Sequence, residues 1–221
     1  MADDLFAAMR QSIIDGDAAR ATALAEESLA TGVPPLDAIE NGFVPGLTHV
    51  GEQFGAGELF LPDMMLAARA MQKAVAILEP EMQRRSMTRR VLGKVVIGTV
   101  KGDIHEIGKN LVGMMLQSSG FEVHDLGVDV SPDRFVAAAR EHDADLVGVS
   151  ALLTTTMAGQ RTVVEALVAA GLRSRVKVIV GGAPASASWA SEIGADGYSE
   201  DAIGAVALAR QLLGAADVAT I

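Results

Sequence analysis

The sequence predicts an α/β protein in two parts: a four-helix bundle over residues 1–86, then a doubly wound five-stranded parallel sheet over residues 94–221. Three observations predict it. Before residue 86 apolar residues recur at helical spacing and no β-branched run interrupts them. After residue 94, β-branched runs alternate with helical runs, the pattern of a parallel sheet covered on both faces. Between the two lies "RRSMTRR", residues 84–90, charged and without periodicity, which reads as leading into a linker over residues 87–93 rather than as a phosphate-binding patch.

In the first part, Leu5, Phe6, Met9 and Ile13 mark one helical face, which stops at Gly16. Asp17 is a candidate N-cap for the next helix, and Gly32 its stop. "LDAIENGFVPGLTHVGEQFG" is helical with an expected interruption at Pro45-Gly46, and a fourth helix starts at Pro62. Short connections between four such helices imply a bundle.

In the second part the predicted strands are "KVVIGT", "FEVHDLG", "DLVGVS", "VKVIVGG" and a short "DGYS". Helices are predicted from about Gly108, over "SPDRFVAAAREH", "MAGQRTVVEALVAAG", "SASWASEIG" and "DAIGAVALARQLLG". Sheets of this kind bind ligands at the carboxyl ends of their strands, near the point where strand order reverses.

Composition narrows the chemistry. A net charge of -10 and a pI near 4.8 argue against nucleic acid or an anionic membrane as partner. The acidic start "MADDLFAAMR" is unlike a secretion signal, and no apolar run is long enough to span a bilayer, so a cytoplasmic location is the expectation. With no cysteine, thiolate nucleophiles, iron–sulfur clusters and disulfides are excluded. Any metal must be held by oxygen or by one of four histidines, His49, His105, His124 and His142. His49 and His142 read as surface residues, and His124 as a partly buried strand residue.

The informative stretch is "GTVKGDIHEIGKN", residues 98–110, between a strand and a helix. It is not a phosphate loop: five residues separate Gly102 from Gly108, and Lys109 is followed by Asn110. It contains Asp103-x-His105. A carboxylate two positions from an imidazole can hold one ring nitrogen and leave the other free for a metal; otherwise His105 caps the helix or lies in solvent. Further on, "VGVSALLTTTM" leaves a strand rich in hydroxyls, and "VIVGGAP" leaves another with a glycine pair.

Asp103-x-His105-x-x-Gly108, then 41 residues, Ser150-x-Leu152, then 28 residues, Gly181-Gly182, resembles the cobalamin-binding signature of methionine synthase, corrinoid methyltransferase proteins and base-off mutases. The resemblance implies a flavodoxin-like (Rossmann-type) domain binding cobalamin, in which His105 ligates cobalt in place of the cofactor's own base and Asp103 holds the histidine. It further implies that Ser150, Leu152 and Thr154 line the tail pocket, and that Gly108, Gly181 and Gly182 leave room for the nucleotide. In methionine synthase a hydroxyl extends the His–Asp pair, and Thr156 corresponds to it.

"VGEQFGAGELFLPDMMLAARAMQKAVAILEP" resembles the helical cap of methionine synthase and of corrinoid proteins that serve methylamine, methanol, betaine or aryl methyl ether methyltransferases. By that resemblance Phe54 and Leu61, with Met64 one turn on, shield the upper cobalt face; for Met64 a packing role is an equal alternative. The resemblance spans residues 4–213. It implies a free-standing methyl carrier that takes a methyl group onto Co(I) from a substrate-specific methyltransferase. The carrier would deliver it from methyl-Co(III) to a second methyltransferase, with a reductive activase as a further partner and the linker as hinge. Three alternatives stand beside it: a cobalamin sensor, expected to carry a DNA-binding domain or basic surface; a radical mutase subunit, which would not need the cap; and a flavodoxin-like protein binding no corrinoid.

Overall fold

The computed structural model describes residues 2–85 and 91–214. The chain divides into two compact units, Met1–Arg90 and Val91–Ile221. Most of the expected linker lies outside the described residues. Leu92 and Gly93 already belong to the second unit, since Leu92 N–H donates to the Gly120 carbonyl and the Gly93 carbonyl accepts from Glu122.

The first unit is helical: α1 (Ala2–Ile14), α2 (Ala18–Ala30), a single turn α3 (Pro35–Asp37), α4 (Val44–Gly55) and α5 (Leu61–Arg84). Asp17 caps α2, its carboxylate accepting from Arg20 N–H at 2.9 Å. The expected interruption at Pro45-Gly46 takes another form. Pro45 sits in the first turn of α4, and the chain before it widens into a π-helix, Ala38–Phe43, closed by Val44 N–H donating to the Ile39 carbonyl. Proline removes a donor and crowds the carbonyl four residues back, and a wider turn relieves both. The same segment lies against α1. A Cβ at Gly42 would fall 2.5 Å from Met9 Sδ, and one at Gly46 would fall 2.5 Å from the Arg10 carbonyl oxygen, so both glycines serve close packing.

The second unit is the predicted sheet, with all strands parallel: β1 (Lys94–Thr99), β2 (Glu122–Asp125), β3 (Leu146–Ser150), β4 (Lys177–Gly181) and β5 (Gly197–Tyr198), in the order β2-β1-β3-β4-β5. Five helices connect and cover it: α6 (Ile107–Ser118), α7 (Pro132–Glu141), α8 (Ala158–Ala169), α9 (Ala187–Glu192) and α10 (Ala202–Leu213). Helices α6 and α10 pack on each other and on one face of the sheet. On the other face Val96, Val147, Val149, Val178 and Val180 are buried with Phe135 of α7, Val163 and Leu167 of α8, and Ala190 of α9.

Strand order reverses between β1 and β3, and register puts the ends of three strands in one row: Thr99 pairs with Ser150, and Ser150 with Gly181. Asp103-x-His105, Ser150-x-Leu152 and Gly181-Gly182, far apart in sequence, therefore leave the sheet side by side.

His142, expected on the surface, ends α7 half-buried, stacked on His124 with ring centroids 3.7 Å apart. The apolar face of one imidazole covers the other, and His124 Nε2 lies 2.7 Å from Glu122 Oε1. His49 is exposed, as expected.

Candidate functional site

The loop after β1 is braced before it presents anything. Gly102 N–H donates to Asp129 Oδ1 at 2.7 Å, and Asp129 N–H donates back to the Asp103 carbonyl at 3.0 Å. Thr99, fully buried at the end of β1, donates its hydroxyl to the His105 carbonyl at 2.9 Å. The loop is thus tied to the strand it leaves and to the segment after β2.

Asp103 is completely buried, and its carboxylate is ringed by donors. Oδ1 accepts from His105 N–H at 3.1 Å and from His105 Nδ1 at 2.7 Å. Oδ2 accepts from Leu152 N–H at 2.8 Å and from the Thr156 hydroxyl at 2.6 Å, with Leu153 N–H at 3.4 Å. Burial alone would raise its pKa. The Thr156 hydroxyl, the His105 and Leu152 amides and the His105 ring outweigh it and hold the carboxyl well below the usual carboxylate range. The balance is reasonable in size: burying an ion costs several kcal/mol, and hydrogen bonds to a charged group contribute about 1.5–3 kcal/mol each.

An ionised carboxylate can only accept, so Nδ1 of His105 is the donor and carries the ring proton in the neutral imidazole. The lone pair then lies on Nε2, for which no described residue provides a hydrogen bond. The imidazole is 46% exposed, so it faces outward from a buried anchor. Among the described residues no three His, Asp or Glu side chains are grouped to hold a metal ion. A single oriented imidazole suits a metal whose other ligands come with it.

Beside His105 opens a cleft of about 850 Å³. Its floor is the sheet face carrying Ile97, Gly148 and Ile179. Its walls include Leu111, Val112 and Leu116 of α6 and Ala205 of α10. The rim holds His105, Gly108, Ser150, Leu152, Gly181 and Gly182. Ile104 (74% exposed) and Ile107 (73%), which flank His105 in sequence, and Leu152 (42%) and Leu153 (42%), whose amides face Asp103, are apolar side chains that the second unit's own core does not use. A Cβ at Gly108 would meet no protein atom within 4 Å, so the missing side chain there leaves space at the cleft rather than relieving a clash. Gly182 is different: its φ is +113°, and a Cβ would fall 1.8 Å from the Ala151 carbonyl oxygen. These features fit a large, mostly apolar ligand that brings a metal to Nε2.

Of the residues predicted from sequence, the structure brings together Asp103, His105, Gly108, Ser150, Leu152, Thr156, Gly181 and Gly182. Thr154 is not among them; it is exposed on the turn after β3 and does not line the cleft, because the turn directs Thr156 inward instead. In the first unit, Phe54 near the end of α4 and Leu61 at the start of α5 are half-buried, and Met64 is fully buried, as a packing residue would be. Sequence reasoning missed Thr99, Asp129 and the Leu152 amide. Backbone donors leave no trace in residue type, and the Thr99 and Asp129 contacts depend on the register of β1 and the path after β2.

An α/β unit with an anchored imidazole at the strand ends, beside an apolar cleft, has the features of a cofactor-binding protein. Comparison with known proteins agrees: a B12 binding domain model matches residues 93–207, and a second B12 binding domain model matches residues 5–79. The chain is 54% identical to dimethylamine corrinoid protein 2 of Methanosarcina mazei over 81% of its own length and 83% of the relative's. It is 46% identical to trimethylamine corrinoid protein 2 of the same organism, covering 96% and 97% of the two chains. Among solved structures, the methanol:cobalamin methyltransferase complex of Methanosarcina barkeri matches with a TM-score of 0.88 at 27% identity, over 97% of this chain and 81% of that one. The chain belongs to the B12-binding corrinoid protein family, and its cofactor is cobalamin or a related corrinoid. Among the described residues, no helix is long and apolar enough to cross a membrane.

Proposed function

We propose that this protein is the methyl-carrying component of a methyltransferase system, loaded by a substrate-specific methyltransferase and unloaded by a second one, with a reductive activase as a further partner. The observation that carries the reading is His105: Nδ1 is held at 2.7 Å by a buried, ionised Asp103, and Nε2 is unengaged beside the cleft. When bound, the corrinoid supplies a cobalt centre that accepts a methyl group and gives it up again.

In this reading Nε2 of His105 would be the protein's ligand to the cobalt. Asp103 keeps the ring proton on Nδ1, so Nε2 is the nitrogen left to bind a metal. Thr156 keeps Asp103 ionised by donating to Oδ2. Ser150 and Leu152 would line the pocket for the cofactor's tail, and Gly108, Gly181 and Gly182 would leave room for its nucleotide. The names of the dimethylamine and trimethylamine relatives support a methylated amine as methyl donor.

The test is paramagnetic resonance of Co(II) protein reconstituted with natural-abundance cobalamin and nitrogen-15 histidine. Hyperfine coupling to a histidine nitrogen that disappears in His105→Ala supports the assignment. Coupling that survives in the variant, or that arises from the cofactor's own base in the wild type, rejects it.

A further inference from the structure

Gln160 is fully buried beside the apolar core between the sheet and helices α7, α8 and α9. Its side chain makes three hydrogen bonds. Nε2 donates to the Val149 carbonyl and to the Gly181 carbonyl, each at 2.9 Å, and Oε1 accepts from Trp189 Nε1 at 2.9 Å. The amide can be oriented only one way, because the indole only donates and the two carbonyls only accept.

The two carbonyls belong to neighbouring strands, β3 and β4, at the end of their pairing. Val149 lies just before the segment that supplies Ser150, Leu152 and Thr156, and Gly181 just before Gly182. Gln160 itself stands at the far end of that segment, in the first turn of α8. Its side chain therefore closes the loop of residues 150–159 onto the strand from which the loop departs.

Between Leu153 and Gln160 the backbone is a chain of tight turns: Thr156 and Met157 N–H donate to the Leu153 carbonyl, Gly159 N–H to that of Thr156, and Gln160 N–H to that of Met157. Anchoring Gln160 thus sets where Thr156 lies, and Thr156 Oγ1 is 2.6 Å from Asp103 Oδ2. Trp189 of α9 backs the amide, and the Arg161 guanidinium lies 4.8 Å from the centre of its ring. Arg161 is in turn ion-paired with Glu192.

We propose that Gln160 is a positioning residue for the His105 site: it brackets the ends of β3 and β4 and so delivers the Leu152 amide and the Thr156 hydroxyl to Asp103. The proposal rests on the corrinoid reading for its consequence at the metal, but its structural half can be tested without cofactor.

The experiment compares full-length Gln160→Met, Thr156→Val and the double variant. Methionine has similar volume but cannot make the three bonds. In the cofactor-free protein, hydrogen exchange at the Leu152 amide is expected to speed up about tenfold in Gln160→Met, the size set by losing local hydrogen bonds. In protein reconstituted with cobalamin as Co(II), at one fixed pH, the fraction showing histidine nitrogen coupling is expected to fall as it does in Thr156→Val. The double variant is expected to fall no further, because both act through one contact.

Unchanged exchange at Leu152, or losses that add fully in the double variant, would overturn the proposal and leave Gln160 a packing residue. Should Gln160→Met not fold, Trp189→Phe removes a single bond from the same amide. A smaller change of the same sign supports the proposal, and none rejects it. If wild-type protein binds no cobalamin, the corrinoid reading fails, while exchange at Leu152 still decides the role of Gln160.

Discussion

Side chains from the same strands meet different surroundings on the two faces of the sheet. Toward α7, α8 and α9, Val96, Val147, Val149, Val178 and Val180 are buried in a continuous core, so close that a Cβ at Gly98 would fall 2.8 Å from Phe135 Cζ. Toward α6 and α10, Ile97, Gly148 and Ile179 floor a cleft of about 850 Å³. Both faces are apolar, but only one is filled out to its strand ends by the unit's own side chains; the other, covered by α6 and α10, keeps a cleft there. The difference teaches that hydrophobicity marks a surface to be covered without saying whether protein or ligand covers it.

The largest expected effect lies on the filled face. Phe135→Ala should lower stability by about 3–5 kcal/mol through lost burial and a cavity. The urea midpoint followed by fluorescence of Trp189, the chain's one tryptophan, reads this in the second unit alone.

At the edge shared by both faces, Asp103→Asn should cost about 3 kcal/mol, since an amide cannot accept from every donor that now faces the carboxylate. The loss should depend on pH. Because the folded-state pKa of Asp103 is depressed, its contribution is complete above the unfolded value of about 3.9 and declines as pH falls toward the folded value. Urea titrations at several pH values should therefore show wild type and variant converging below about pH 4.

A paired substitution sharpens the contrast between faces. Gly98→Ala drives a methyl group into Phe135 and should cost about 1–3 kcal/mol in the same fluorescence measurement. Gly108→Ala, near the start of α6, meets open space and should leave the cofactor-free protein unchanged or up to about 1 kcal/mol more stable through helix propensity. Its effect should surface instead in cobalamin titration, as weaker binding. Equal stability losses from the two alanines would break the comparison.

Much of the architecture was readable from the chain. The strand Lys94–Thr99 begins and ends where the β-branched run does, and Asp17 caps α2 as its position before an apolar-periodic run implies. The π-helix was not readable, because it answers both to Pro45 and to the approach of α1 at Gly42 and Gly46. In the site, Asp103 and His105 stand two residues apart and could be paired from sequence. Thr156, too, was assigned to that pair by the sequence resemblance; that Thr154 faces away from the cleft depended on the direction of a turn.

What the sequence by itself determined is the order of elements, the two parts of the chain and the residue types at each strand end. Local propensity and periodicity act over a few residues and leave their record there. Only the tertiary structure decided that Thr99, Ser150 and Gly181 share one row, that Asp103 is buried under donors from two loops, and that one sheet face keeps a cleft beneath its helices. Those outcomes depend on strand register and on how helices cover a sheet, which are set by contacts between segments remote in sequence.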